Sequence, residues 1–118
     1  MRIPELIVAS ALRIRSSRAA LLSSNLANAD VPGSMPRDID FNSALKAAIA
    51  NAQGAHDSIM PEAGDLTTSA VPQDLRPDGS GVDVSREMGE MFQNSLAYES
   101  TMKLYASMMA RLKTATEV

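Results

Sequence analysis

Apolar residues follow a helical period near both ends of the chain and lose that period in between. Near the N-terminus they recur at spacings of three, four and seven residues, at Val8, Leu12, Ala19, Leu22, Leu26 and Ala29, flanked by Ile7, Ile14 and Leu21. This period predicts an amphipathic helix from about residue 4 to about residue 27. Pro4 suits its first turn, because a helix does not use the N–H groups there.

The C-terminal pattern is a heptad repeat, with apolar residues that alternate at spacings of four and three. Its members are Val84, Met88, Met91, Ser95, Tyr98, Met102, Tyr105, Met109 and Leu112, of which only Ser95 is polar. The repeat predicts a helix from about residue 83 to about residue 116, with Asp83 as its N-cap. A seam of this kind needs a partner helix, and the N-terminal helix is the nearest candidate. The predicted fold class is therefore all-α, with long terminal helices paired as a coiled coil.

Between the terminal helices the chain first reads as a turn and then as a short helix. The turn residues Asn28, Asp30, Pro32, Gly33 and Pro36 end the first helix, and FNSALKAAIAN, from Phe41 onward, predicts the short helix. Residues 51–81 are rich in Gly, Pro and Asp and have no period, so they predict a flexible middle segment. We interpret residues 1–118 as one discontinuous domain: helix about 4–27, turn and short helix about 28–50, flexible middle about 51–81 and helix about 83–116.

Composition narrows the possible functions. The chain has 118 residues and no cysteine, so it forms no disulfide and offers no thiolate to a metal. Its net charge of −3 gives no reason to expect nucleic acid as a partner. The first 29 residues hold four arginines, several serines and one acid, the composition of a transit peptide. Because the same residues carry an apolar stripe, we expect this segment to be retained, without a cleaved signal peptide.

Catalytic chemistry has few candidate residues. His56 is the only histidine and is followed by Asp57, but adjacent residues do not give a base and its orienting acid the required geometry. A small hydrolase using these two residues stays an alternative that loss of turnover in His56→Ala would support. Asp38 and Asp40 fit helix capping better than a cation site. We therefore expect no enzyme activity, no cofactor, no metal and no small-molecule substrate.

Two stretches near the first turn, and one near the C-terminus, resemble a known family. The pattern S-x-x-A-x-x-x-x-S-N-L-A-N-A-D-x-P-G at residues 16–33 resembles the N-terminal signature of bacterial flagellar basal-body rod proteins. The continuation RDIDF at 37–41 and VDVSREMGEMFQNSLAYE at 82–99 are similar to a proximal rod member in particular. The chain departs from the family pattern at Val31, where threonine is usual, and at Ser34, where a large residue is usual.

The resemblance implies a structural subunit of the flagellar rod, located in the basal body and exported through the flagellar type III apparatus. Implied partners are copies of the same chain, other rod proteins and proteins of the export gate at the rod base, with no nucleic acid. The turn would direct the chain away from the paired helices. Implied motif and turn residues are Asn25, Ala27, Asn28, Asp30, Pro32, Gly33, Arg37, Asp38, Asp40 and Phe41. The expected assembly seam consists of Leu12, Leu22, Leu26, Val84, Met88, Met91, Tyr98, Met102, Tyr105, Met109 and Leu112.

Other functions remain open at this point. The same helices would suit another flagellar rod component, or a soluble helical export chaperone or adaptor that binds a partner helix through its methionine-rich face. A stable, fully helical monomer or small closed dimer would favour the chaperone over a rod subunit.

Overall fold

The described part of the chain folds into three helices and has an elongated shape. The computed structural model describes residues 3–54, 77 and 79–116. The helices are α1 (Ile3–Ala27), α2 (Phe41–Gly54) and α3 (Val84–Thr116), and the molecule measures 64 × 28 × 17 Å. This confirms the predicted all-α fold with paired terminal helices. His56, Asp57 and nearly all of the predicted flexible segment lie outside the described residues. Among the described helices, none has a stretch that is both long and apolar enough to cross a membrane.

Side-chain caps fix where α2 and α3 begin. The Asp40 carboxylate accepts hydrogen bonds from the backbone N–H groups of Asn42 and Ser43, at 3.2 and 3.5 Å, and from the Ser43 hydroxyl at 2.9 Å. The Ser43 hydroxyl is the main reason that the pKa of Asp40 lies below its usual value. At α3, the Asp83 carboxylate accepts a bond from the N–H of Arg86 at 3.2 Å. Each carboxylate thus satisfies N–H groups that have no partner within the helix.

α1 is the central helix, with α3 packed along it and α2 against another part of its surface. Hydrogen bonds join Asn25 to Glu87 and Arg15 to Asn94, so residue numbers rise on α3 as they fall on α1 and the two helices are antiparallel. The apolar core lies between α1, the segment before α2, and α2. It consists of the buried residues Ile14, Ile39 and Ala44, with Leu21, Phe41 and Leu45 against them.

The buried face of α1 matches the predicted stripe only in part. Ile14 and Leu22 are fully buried, whereas Ala19 is exposed and Leu12 and Leu26 are half-buried. Two members of the predicted stripe, Leu22 and Ala29, are buried as expected. At Leu12, Ala19 and Leu26 the residue before each is the more buried one, so the prediction was displaced by one residue, or roughly 100° around the helix, at these positions only. The cause is that polar residues, among them Ser10 and Asn25, occupy part of the buried face, so apolar spacing alone pointed beside it.

The face of α3 that meets α1 also differs from the predicted seam. The residues with low exposure include Glu87, Met91, Asn94, Tyr98, Thr101, Tyr105, Met108 and Leu112, again at spacings of four and three. Glu90, Ala97 and the predicted seam residue Met109 lie beside this row and are also half-buried. This observed seam shares every second position with the predicted one and replaces the others by the residue before. Val84, Met88 and Met102, which were expected in the seam, are exposed in the single chain. The apolar pattern was misleading because three residues of the observed seam, Glu87, Asn94 and Thr101, are polar.

The chain reverses direction at a type II turn after α1. The N–H of Ser34 donates to the carbonyl of Val31 at 3.1 Å, and Gly33 has φ of 80°, a value that favours glycine. Residues 34–41 then run back along α1, where Arg37 contacts Asn25 and Asp38 contacts Arg18. The expectation that the turn leads the chain away from the helices is therefore wrong for these residues, because polar side chains of α1 hold them.

Candidate functional site

Asn25 joins three parts of the fold. Its side-chain oxygen accepts a hydrogen bond from the N–H of Arg37 at 3.0 Å, and its amide nitrogen donates to the carbonyl of Arg37 at 2.6 Å. The same nitrogen donates to the Glu87 carboxylate on α3 at 3.1 Å. Asn25 is 6 % exposed, so these groups bond to each other instead of to water. One motif residue therefore fixes the returning segment and α3 against the end of α1.

Arg18 makes a second link between the same three parts. Its guanidinium donates to both carboxylate oxygens of Asp38, at 2.8 and 2.9 Å, and to the carboxylate of Glu90 at 2.7 Å. The bonds to Asp38 are the largest cause of the raised pKa of Arg18. A bidentate arginine–carboxylate pair restricts both distance and orientation. We refer to Asn25, Arg37, Glu87, Arg18, Asp38 and Glu90 together as the polar clamp.

Glu87 is the buried acid of the polar clamp. Its side chain is 4 % exposed, and burial raises its pKa above the usual value of a glutamate. The nearby carboxylates of Asp38 and Glu90 act in the same direction, while the hydrogen bond from Asn25 opposes them. The polar clamp therefore fixes the relative position of the three parts but adds little net stability. The reason is that burying the Glu87 carboxylate removes its hydration, which offsets the gain from its hydrogen bond.

Further along α1, a second polar contact sets the register of α3. The amide of Asn94 donates to the carbonyl of Arg15 at 2.9 Å, and the Arg15 guanidinium lies 4.0 Å from the centre of the Phe41 ring. Burial lowers the pKa of Arg15. The Arg15 Nε atom and the Asn94 Oδ1 atom are buried without a hydrogen-bond partner. Polar residues in a helical seam typically fix register at some cost in stability, and Asn94 fits this pattern.

The turn after α1 packs against the segment that leads into α3. The Ser80 hydroxyl donates to the carbonyl of Ala29 at 3.0 Å, and the N–H of Gly81 donates to the carbonyl of Ser34 at 2.8 Å. A Cβ added to Gly81 would lie 2.7 Å from the sulfur of Met35, so glycine is what permits this approach. The turn after α1 and the residues that lead into α3 are thus held against each other.

The structure brings together only part of the predicted motif. Asn25, Arg37 and Asp38 belong to the polar clamp, Asp40 caps α2, and Phe41 stacks under Arg15. The remaining motif residues are exposed: Ala27, Asn28, Asp30, Pro32 and Gly33. Of these, Asn28 donates to the carbonyl of Ser24 at 2.8 Å and closes the last turn of α1.

Sequence reasoning missed Glu87, Asn94 and Thr101 as residues of the helix pair. They lie seven residues apart, the spacing at which one face of a coiled-coil helix recurs. That polar repeat is a signal in the sequence, but the stronger apolar repeat beside it was the one that predicted the seam.

Large apolar side chains remain exposed on α3 after it has paired with α1. Phe92 is 66 % exposed and Met88 is 57 % exposed. The others in this group are Val84, Leu96, Met102 and Leu104. Apolar surface concentrated on one element of a single chain marks an interaction site.

A helical chain that keeps large apolar side chains exposed after its helices have paired has the surface of a subunit of a larger assembly. The chain is 39% identical over 112 residues to flagellar basal body rod protein FlgB of Aeromonas hydrophila, covering 86% of this chain and 83% of that protein. It is 37% identical over 106 residues to the protein of that name in Yersinia enterocolitica, covering 78% and 77%. It is 32% identical over 107 residues to that of Escherichia coli, covering 78% and 77%. No protein-family model matches the chain. The chain belongs to the FlgB family of flagellar basal body rod proteins.

Proposed function

We propose that this chain is a structural subunit of the proximal flagellar rod, which assembles side by side with copies of itself and with other rod proteins. The observation that carries this proposal is the exposure of Met88, Phe92 and Leu96 on a helix that is already paired. Fully burying an exposed apolar side chain of this size is favourable by about 1.5–3 kcal/mol. The folded monomer therefore retains apolar surface that an assembly would cover.

The distribution of polarity within the helix pair supports the same proposal. Glu87 and Asn94 are buried against α1, while Phe92 and Leu96 face away from it. A helix of a protein that acts as a monomer normally has the opposite arrangement. In an assembly the outward residues would become the larger apolar interface, and the polar seam would hold the register within each subunit.

The export route belongs to this proposal. We expect the chain to be exported by the flagellar type III apparatus with α1 retained, because Ile14 and Leu22 of α1 are core residues of the mature fold. Mass spectrometry of chains from isolated basal bodies should therefore detect peptides from within residues 3–27. A mature chain that begins after Ala29 would contradict this expectation.

The proposal is tested by complementation of motility in cells that lack their own FlgB. Met102→Asp places a charge on the exposed flank of α3, where Met102 is 41 % exposed, and should abolish motility while the purified chain stays helical. The matched control is Lys103→Glu, because Lys103 is 77 % exposed and its 3.6 Å pair with Glu99 is worth under about 1 kcal/mol. Full motility of the Met102 variant together with loss in the Lys103 variant would contradict the assignment of this face.

A further inference from the structure

An apolar ridge runs along the side of α3 that faces away from α1. We define the ridge as Met88, Phe92 and Leu96, which follow each other at spacings of four residues and are all exposed. Phe92 and Leu96 are each two residues from Asn94, which contacts α1. Two residues correspond to about 200° around an α-helix, so Phe92 and Leu96 lie nearly opposite the α1 contact. Met88 follows the seam residue Glu87 by one residue, or about 100°, and lies at the edge of the ridge nearer to α1. Beside it, a Cβ added to Gly89 would meet nothing within 4 Å in the single chain.

The outer face of α1 has a shape that fits this ridge. We define it as Ser16, Ala19 and Ser23, all exposed and spaced by three and four residues. Ser16 is two residues from the core residue Ile14, and Ser23 is two residues from the clamp residue Asn25, so this face points away from the core. Small side chains leave a shallow groove along a helix into which larger side chains of another helix can pack.

The ridge and the outer face lie at the same height along the molecule. Asn94 contacts Arg15 and Glu90 contacts Arg18, so Phe92 is level with the part of α1 between Arg15 and Arg18. By the same reasoning Met88 is close to the level of Ser23, since Glu87 contacts Asn25. A second copy placed alongside without axial displacement would therefore set Phe92 opposite Ser16 and Ala19.

Charge at the edge of the two surfaces is complementary in that arrangement. Glu99 is exposed one turn beyond the ridge, and Arg13 is exposed beside the outer face. Counted from the contact between Asn94 and Arg15, these two residues differ in height by about 5 Å, which their side chains can span. α1 carries no acid after Glu5, so a neighbouring carboxylate meets no repulsion from it.

We propose that the ridge of each copy packs against the outer face of α1 in the next copy, with Glu99 paired to Arg13. This inference rests on the proposed function. It adds which two surfaces of neighbouring copies meet and the register in which they meet. Because the two surfaces are different and lie on different helices, the contact is head-to-tail. Contacts of this type continue from copy to copy and generate rings or helical tubes in place of closed dimers.

Disulfide crosslinking tests the register. The chain has no native cysteine, so every disulfide within or between its copies must come from an introduced residue. In basal bodies isolated from complemented cells, the double variant Ser16→Cys/Phe92→Cys should give a ladder of crosslinked multimers under oxidation. Each single variant should give none, whereas a symmetric contact would give dimers with Phe92→Cys alone and overturn the proposal. The register control is Ala27→Cys/Phe92→Cys, because Ala27 is exposed near the same side of α1 about 16 Å away, and it should give no ladder.

Exchanging the charges of Arg13 and Glu99 tests the same contact without cysteines. This second test applies if the Ser16→Cys/Phe92→Cys variant fails to assemble. Arg13→Glu and Glu99→Arg should each reduce motility, and the combined variant should recover it. Basal bodies that contain the chain, but show neither the ladder nor this recovery, would overturn the inference and leave the proposed function standing. Basal bodies of motile cells that lack the chain would overturn the proposed function, and the inference with it.

Discussion

At the scale of single residues, the two asparagines of the N-L-A-N stretch have different tasks. Asn25 is buried and bonds to the backbone of Arg37 and to Glu87, whereas Asn28 is exposed and bonds only within the last turn of α1. The same residue type three positions apart is therefore a tertiary clamp in one case and a local helix cap in the other. The difference follows from burial, because a buried polar group that loses its partner has no water to replace it.

Asn25→Ala is expected to lower the free energy of unfolding by about 2–3 kcal/mol, since it leaves Glu87 and the Arg37 backbone without partners. Asn28→Ala is the matched control and should cost less than about 1 kcal/mol. Urea denaturation of the two purified variants, followed by circular dichroism, gives the comparison. Equal losses in the two variants would show that Asn25 is not a clamp.

Gly33→Val probes the turn by backbone strain alone. A Cβ at Gly33 meets no atom within 4 Å, but its φ of 80° disfavours a β-branched residue by more than about 1 kcal/mol. We expect motility to fall more than helical content, because the returning segment would shift while α1 and α3 stay helical. Normal motility with rods of normal length would contradict this role of the turn.

At the scale of elements, α3 combines a polar seam toward α1 with an apolar flank toward the outside. Glu87 lies at the start of that seam, and its buried carboxylate makes the pairing sensitive to pH. Its folded pKa is raised, so between the unfolded pKa of about 4.3 and that higher value the native state holds a proton that the unfolded chain has lost. The contribution of Glu87 to stability therefore falls as pH rises through this window.

Glu87→Gln is accordingly expected to raise stability at pH 7 and to remove this part of the pH dependence. Glutamine keeps an oxygen that can accept the bond from Asn25, while the uncharged side chain avoids the desolvation of an anion. Thermal melts of the variant and of the unsubstituted chain between pH 4 and pH 8 measure the effect. The control is Glu99→Gln at an exposed position, where the two melting curves should differ little at any pH. A Glu87 variant that is less stable at pH 7 would contradict the argument.

At the scale of the whole molecule, α1 is the element to which everything else is attached. Its buried side carries Ile14, packed with Ile39 and Ala44, and the clamp residues Arg18 and Asn25, while its outer side carries small residues. In the proposed assembly, the residues that stabilise the monomer and the residues that contact neighbouring copies thus lie on different faces of the helix pair. This separation means that monomer stability and assembly can be altered independently.

Ile14→Ala and Phe92→Ala should demonstrate this independence. Ile14 is fully buried, so its truncation is expected to cost about 2–4 kcal/mol of stability, measured by urea denaturation. Phe92 is 66 % exposed, so its truncation should change stability by less than about 0.5 kcal/mol and yet reduce motility. Loss of stability in the Phe92 variant equal to that of the Ile14 variant would place Phe92 in the monomer core.

The sequence by itself determined the three helices and most of their ends, because these depend on local features. The exception is α2, which continues to Gly54 although the sequence predicted a flexible segment from about residue 51. Apolar period, the caps Asp40 and Asp83, and the turn-forming Pro32 and Gly33 act within a few residues and can be read along the chain. The fold class followed from them, since two long amphipathic helices in a short chain have few ways to bury their faces other than against each other.

Only the tertiary structure decided which faces meet. The partner of Asn25 is 62 residues away at Glu87, and the partner of Asn94 is 79 residues away at Arg15, so no local pattern shows that these polar residues are paired. Apolar spacing placed Met88 and Met102 in the seam and left Glu87 and Asn94 outside it. Burying these polar side chains costs desolvation free energy, and their hydrogen bonds across the two helices offset that cost. The apolar side chains of α3 are then left on its outer surface.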